Sequence, residues 1–339
     1  MPAADRANHA EYASSAPALI AIDWGSSSLR VALLDSHGSV LERRESAAGV
    51  FAVTSGNFAA ALWPLCADWL EIHQLPLLAC GMIGSRQGIL EVPYVACPAT
   101  ADDLAGGLGR IELQPLAAGA VGPKPVLLIV PGLSSGSATA GWDVMRGEET
   151  QLLGVASESG QLFVMPGTHS KWAVRGTDGR LESFQTYMTG ELFELLSQHG
   201  SLSRLMSVPQ PSPEAFTQGV TEARDDALEN LLFRVRTAGL MGRFSASALA
   251  DYLSGLLIGA EIKAGLQRFA EGDAGQPVSV LGNAALTARY AAALEVFGRS
   301  ARELPGDAAF DGLMAIARRA GLLPDATAAI HPESGRECP

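Results

Sequence analysis

The chain has 339 residues, 47% of them apolar, enough for a sizeable core and about two domains. Its 24 Lys and Arg stand against 36 Asp and Glu, a formal net charge of −12, which argues against a general nucleic-acid binder relying on a broad basic surface. No apolar run approaches the roughly 20 residues of a membrane-spanning helix, and the four cysteines lack CxxC or His-linked metal spacing, so they read as free thiols of a reducing cytosol.

In chain order, residues 1–16 are polar and Ala/Ser-rich and read as a disordered leader. Ala18–Ile22 is a short apolar run, a buried strand ending at Asp23-Trp24-Gly25-Ser26-Ser27-Ser28. Leu29, Val31 and Leu33 then alternate with Arg30 and Ala32, which is strand rather than helix periodicity. A second turn, Asp35–Gly38, precedes a third strand from Ser39. Phe58–Ile72 has helical spacing, and Leu75–Cys80 and Pro125–Val130 read as strands. Glu148–Ala156 is a predicted helix. The first layout then returns: Leu162–Met165, the turn Pro166–Lys171, a strand through Trp172–Val174, a turn at Gly176–Gly179, and a strand Leu181–Tyr187. Helices are expected over Glu191–Gln198, Glu222–Thr237, Ala246–Phe269, Ala285–Phe297 and Ala308–Ala320, with a strand at Val278–Leu281. The class is α/β. The repeated three-strand meander suggests two related halves, although two unrelated hairpins would look the same.

The two glycine- and hydroxyl-rich turns are the main chemical signal. Gly25, Ser26, Ser27 and Ser28 offer backbone N–H groups and hydroxyls able to cradle phosphate oxygens. Asp23 stands where a carboxylate can hold Mg²⁺ against those phosphates, and Arg30 either adds charge or points to solvent. Gly167, Thr168, His169, Ser170 and Lys171 concentrate donors suited to a triphosphate. The alternative for each is an ordinary surface turn. Glu148 and Glu149, in the first turn of a helix, either favour its dipole or supply a general base, and they lie about 100° apart around it. After Cys80, the loop Gly81–Gly88 sits at the carboxyl end of a strand, where Arg86 either grips a substrate carboxylate or is a plain surface residue. Gly132-Leu133-Ser134-Ser135-Gly136 fits a GxSxG nucleophile elbow, which leaves a serine hydrolase using Ser134 as a competing class; the elbow needs a helix immediately afterwards, and Ser137–Gly141 has no apolar face.

Together these residues resemble the sugar kinase/Hsp70/actin ATPase superfamily. The strings Gly81–Arg86, Pro93-Tyr94 with Cys97-Pro98-Ala99, Val144–Gln151, Pro166–Trp172 and Met188–Phe193 narrow the resemblance to the 2-dehydro-3-deoxygalactonokinase family. It implies two RNase H-like, actin/hexokinase-type domains around a nucleotide cleft, with residues 17–147 forming the first and 148–330 the second. It implies ATP and Mg²⁺, and transfer of phosphate to the 6-hydroxyl of 2-dehydro-3-deoxy-D-galactonate. A related keto-deoxy acid such as 2-dehydro-3-deoxygluconate is an alternative substrate. Under this resemblance Asp23 organises Mg²⁺, and Glu148 or Glu149 is the base. The turns at 25–28, with Arg30, and at 167–171 hold the phosphates. Gly282 and Asn283 take the place of the adenosine motif, where many members have paired glycines. Gly84, Ser85, Arg86 and Arg146 face the sugar acid, with Ser85 and Arg86 on its carboxylate. The expected partner is thus a small sugar acid, with neither nucleic acid nor membrane, in a cytoplasmic protein whose default assembly is a homodimer.

Overall fold

A computed structural model describes residues 16–114, 124–139, 141–155, 161–269, 275–306 and 308–323. The expected leader up to Ser15, the Gly/Pro-rich residues 117–123, Ala156 and Cys338 lie outside the described residues. The first half runs β1 (Pro17–Trp24), β2 (Leu29–Asp35), β3 (Val40–Ser46), α1 (Phe58–Ile72), β4 (Leu77–Cys80), β5 (Val95–Ala96), α2 (Ala101–Gly106), β6 (Gly109–Glu112), β7 (Val126–Ile129), β8 (Leu133–Ser137), β9 (Gly141–Met145) and α3 (Glu148–Gly154). The second runs β10 (Gln161–Met165), β11 (Ser170–Arg175), β12 (Leu181–Tyr187), α4 (Thr189–Gln198), α5 (Gly200–Ser203), α6 (Pro213–Ala223), α7 (Leu228–Leu240), α8 (Leu249–Phe269), β13 (Val278–Gly282), α9 (Ala284–Val296), β14 (Ala301–Pro305) and α10 (Ala309–Arg319).

The two large sheets share one order. The first is β3-β2-β1-β4-β7-β6 and the second β12-β11-β10-β13-β14. In each, an antiparallel meander is followed by parallel strands, β4 beside β1 and β13 beside β10. The expected duplication is therefore present, with β6 as an added antiparallel edge.

Side-chain alternation explains how the layers assemble. Along β1, Leu19 and Ala21 enter a central core with Phe310 and Leu313 of α10, while Ile20, Ile22 and Trp24 pack with Leu62, Trp63 and Trp69 of α1. Along β10, Phe163 and Met165 join that same central core, while Leu162 and Val164 meet Phe216, Ile258 and Tyr290 from α6, α8 and α9. Period-two strands buried on both faces read as continuous apolar runs, and burying each large side chain contributes about 1.5–3 kcal/mol. The expected division at 147/148 leaves α10 with the second half. In the fold α10 packs on the first sheet, because its apolar face fits Leu19, Ala21 and Leu78, and Arg318 reaches back to the carbonyls of Ser36 and His37.

Two expectations are corrected. The single helix predicted over Glu222–Thr237 is two helices, α6 and α7, separated at Arg224–Ala227. The earlier start follows from Ser212, whose Oγ accepts from Ala215 N at 3.4 Å, with Pro213 opening the helix. The second correction concerns Ser134, which lies inside β8, paired with Val144 of β9. Leu133 to Gly136 all lie in the first strand of a β-hairpin, so no helix presents Ser134 as a nucleophile and the hydrolase reading falls. Among the described residues no helix is long and apolar enough to cross a membrane.

Candidate active site

The carboxyl ends of β1, β4, β10 and β13 converge on one cleft of about 350 Å³, the location expected for a ligand in open α/β sheets. Its walls include Asp23, Gly25 and Ser26 after β1, Gly81 and Met82 after β4, Arg146 to Glu148 between β9 and α3, Gly167 to His169 after β10, and Gly282. The structure thus brings together the two turns and the acidic helix start that the sequence holds far apart.

Antiparallel register places Arg30 opposite Asp23, and the two side chains form an ion pair. Arg30 therefore fixes the Asp23 carboxylate and is not among the residues lining the cleft. Ser27 and Ser28 sit exposed at the tip of this turn, away from the cleft lining, and the Ser28 carbonyl accepts from Gly25 N at 3.0 Å.

The second turn is held from behind. Glu191 N donates to Thr168 O at 3.0 Å, and His169 Nε2 lies 2.6 Å from Glu191 Oε2. A Cβ on Gly190 would lie 2.4 Å from Gly167 O, so only glycine lets the start of α4 approach this turn so closely. Ser170, expected among the phosphate donors, turns inward instead. Its Oγ lies 3.0 Å from Tyr290 OH, which donates to the fully buried Glu261 at 2.6 Å, and Trp172 Nε1 donates to the same carboxylate at 2.8 Å. Strand alternation sends Ser170 into this buried network, where burial raises the Glu261 pKa.

Lys171 is buried, with Nζ 3.3 Å from Glu148 Oε1 and donating to His169 O at 3.2 Å. Glu148 Oε2 accepts from Arg146 N at 3.0 Å. The two acids of α3 separate as helix geometry requires: Glu148 faces the cleft and Glu149 is fully buried. Burial, then the neighbouring charge of Glu148, raises the Glu149 pKa from 4.5 to about 8, against hydrogen bonds from Gly147 N at 2.7 Å and Thr150 Oγ1 at 2.9 Å.

A stability prediction follows from Glu149. The folded protein keeps a proton there that the unfolded chain releases near pH 4.5, so the group's contribution is full below about 4.5 and is lost as pH rises through about 8. Glu149→Gln can keep both hydrogen bonds and removes this slope. Its melting temperature relative to wild type is expected to rise as pH increases across that window. Melting curves that stay parallel over the whole range would sink the idea.

The substrate loop divides. Ser85 is buried and its Oγ donates to Met82 O at 2.7 Å, whereas the Arg86 side chain is 81% exposed and pairs with Glu91 at 3.3 Å. Neither lines the cleft. Asn283 caps α9, its side chain accepting from Leu286 N at 3.0 Å with an ordinary extended backbone, so this position has no need of glycine. A second pocket of about 390 Å³ opens beside Gly167, walled by Phe193, Leu257, Ile258 and Tyr290, with Arg289 and Asp251 paired at 2.8 Å among its lining residues. Such a pocket suits a flat heteroaromatic base. The sequence pointed only to Gly282 and Asn283 for that role; the pocket is built by α4, α8 and α9, whose apolar residues read as ordinary helix core.

Paired RNase H-like sheets, with two donor-rich turns facing across a cleft that also holds a carboxylate, define an actin/hexokinase-type phosphotransferase. A family model described as 2-keto-3-deoxy-galactonokinase matches residues 23–316, and the chain belongs to that family. It is 38% identical over 307 residues to a Rhizobium meliloti (strain 1021) protein named probable 2-dehydro-3-deoxygalactonokinase DgoK1, covering 88% of this chain and 96% of the relative. It is 36% identical over 301 residues to the 2-dehydro-3-deoxygalactonokinase of Escherichia coli (strain K12), covering 88% and 97%. A crystal structure of a Sinorhizobium meliloti protein, 35% identical, superimposes with a TM-score of 0.76 over 88% of this chain and 98% of that one.

Proposed function

We propose that the chain transfers the γ-phosphoryl group of ATP to the 6-hydroxyl of 2-dehydro-3-deoxy-D-galactonate. The observation that carries the chemistry is Glu148, a carboxylate in the cleft between the two turns with its orientation fixed by Lys171 and Arg146 N. Family membership supports the substrate. Glu148 takes the proton of the attacking hydroxyl, while the backbone around Gly25 and Ser26 and around Gly167 and Thr168 holds the phosphate chain in line. Phosphoryl transfer depends on this positioning and on charge stabilisation more than on covalent chemistry by the protein. The second pocket receives the adenine.

Asp23 suits Mg²⁺ that arrives with the nucleotide. Among the described residues no cluster of three or more His, Cys, Asp or Glu could hold a metal on its own. Mg²⁺ typically keeps several waters and binds through one or two carboxylates plus substrate phosphates, which matches the single carboxylate that Asp23 brings to the phosphate turn. The ion would supply charge neutralisation there.

The test is ADP release over a panel of 2-keto-3-deoxy sugar acids and neutral sugars. ADP release is expected with the galactonate-derived acid, and silence with every acid from a folded protein would overturn the proposal. Ser134→Ala is expected to keep the wild-type rate, because Ser134 is confined to the β8–β9 hairpin; loss of turnover in this variant alone would contradict the kinase assignment.

A further inference from the structure

Arg146 carries a charge that the phosphoryl-transfer scheme does not use. The residue is 9% exposed and begins the β9-to-α3 connection two positions before Glu148. Nη2 donates to Val92 O at 2.7 Å, and the guanidinium carbon lies 4.4 Å from the centre of the Tyr94 ring. Nε and Nη1 are buried and have no hydrogen-bond partner among the described residues. A buried cation whose donors lack partners is costly, and an anion that completes them repays the desolvation. The Val92 carbonyl takes one of the two Nη2 protons. One complete edge of the guanidinium fork, with two parallel N–H groups, therefore remains for a planar anion.

We infer that Arg146 anchors the carboxylate of the sugar acid and makes an acid, rather than a neutral sugar, the preferred acceptor. This inference rests on the proposed kinase reaction. The acid's carboxylate and its 6-hydroxyl are opposite ends of one short carbon chain, and Arg146 and Glu148 hold those two ends from one strand-to-helix junction. Tyr94, whose ring lies against the guanidinium, is 42% exposed, so the group that covers Arg146 is itself open to solvent. Gly84 sets the fork from behind: a Cβ there would lie 2.9 Å from Arg146 Nη1 and 2.9 Å from Ile129 Cγ2. Arg86, solvated and paired with Glu91, lacks both the burial and the unpaired donors.

The experiment is steady-state kinetics on wild type, Arg146→Lys, Gly84→Ala and Arg86→Ala, using the keto-deoxy acid and its primary amide as acceptors. Lysine keeps the charge but not the planar fork. Arg146→Lys and Gly84→Ala are each expected to raise KM for the acid by about tenfold to a hundredfold, the range of hydrogen bonds to charged groups, with KM for ATP within about twofold. Wild type is expected to favour the acid over the amide by a similar factor, and Arg146→Lys to lose most of that preference. An equal wild-type response to acid and amide, which needs no variant, would overturn the anchor. So would an unchanged acid KM in both Arg146→Lys and Gly84→Ala, or a KM loss confined to Arg86→Ala. Absence of ADP release from wild type with any acid is a different result, and overturns the kinase reading itself.

Discussion

Glu148→Gln is expected to lower kcat by about 10²- to 10⁴-fold, the contribution of a positioned general base, with KM for ATP near its wild-type value. The expectation rests on position. Glu148 opens α3 at the cleft wall, Lys171 Nζ lies 3.3 Å from its Oε1, and Arg146 N holds Oε2 at 3.0 Å. Glutamine keeps the shape and one of the two acceptor oxygens, loses the charge paired with Lys171, and cannot take a proton from the attacking hydroxyl. Glu149→Gln is the matched control. Its parent side chain is fully buried and holds a proton near neutrality, with a pKa of about 8, so turnover in that variant stays close to wild type. Single-turnover measurements on both variants decide the matter. A larger loss in Glu149→Gln than in Glu148→Gln would move the base to the buried acid and refute the assignment.

Asp23→Asn is the second large effect, an expected fall in kcat of about 10²- to 10³-fold, comparable to removing one preorganised electrostatic group from a transition state. Asparagine preserves volume and can still accept from Arg30, but it removes the negative charge at the first phosphate turn. The same change removes the Asp23 charge from the partly buried Arg30, so some loss of stability accompanies it. A Mg²⁺ titration at saturating ATP separates the two consequences. The half-saturating Mg²⁺ concentration is expected to rise in Asp23→Asn, which a purely structural fault would not produce. Wild-type Mg²⁺ dependence with an unchanged kcat would remove Asp23 from the catalytic scheme.

Much of this site was legible in the residues. Leu29, Val31 and Leu33 alternating after Gly25, and the same pattern after Gly167, set two meanders, and each proved to be the start of a sheet with the same strand order. Phe58–Ile72 matched its helix because its apolar spacing and flanking residues agree over four turns. The division of α6 from α7 was less legible, since the break at Arg224-Asp225-Asp226-Ala227 holds neither Gly nor Pro and reads as the polar face of one continuous helix. The β8–β9 hairpin carried a misleading signal: a GxSxG string fixes composition, whereas the elbow needs a helix directly after the serine, where the chain instead continues in β8 to Ser137.

Within the site, the sequence by itself determined the chemical inventory: two glycine-led turns with hydroxyl and cationic donors, a carboxylate before the first, and paired acids at a helix start. It determined these because backbone turns and strand periodicity are local properties. Tertiary structure alone decided which groups face the ligand. It turned Ser170 into the Tyr290–Glu261 network, set Arg30 against Asp23, exposed Arg86, and enclosed Arg146 beneath Tyr94. It also chose Glu148 over Glu149 as the acid in the cleft. Those outcomes depend on register and on packing between segments as distant as Ser170 and Tyr290, and the desolvation of a charged group is set by everything that surrounds it rather than by its neighbours in the chain.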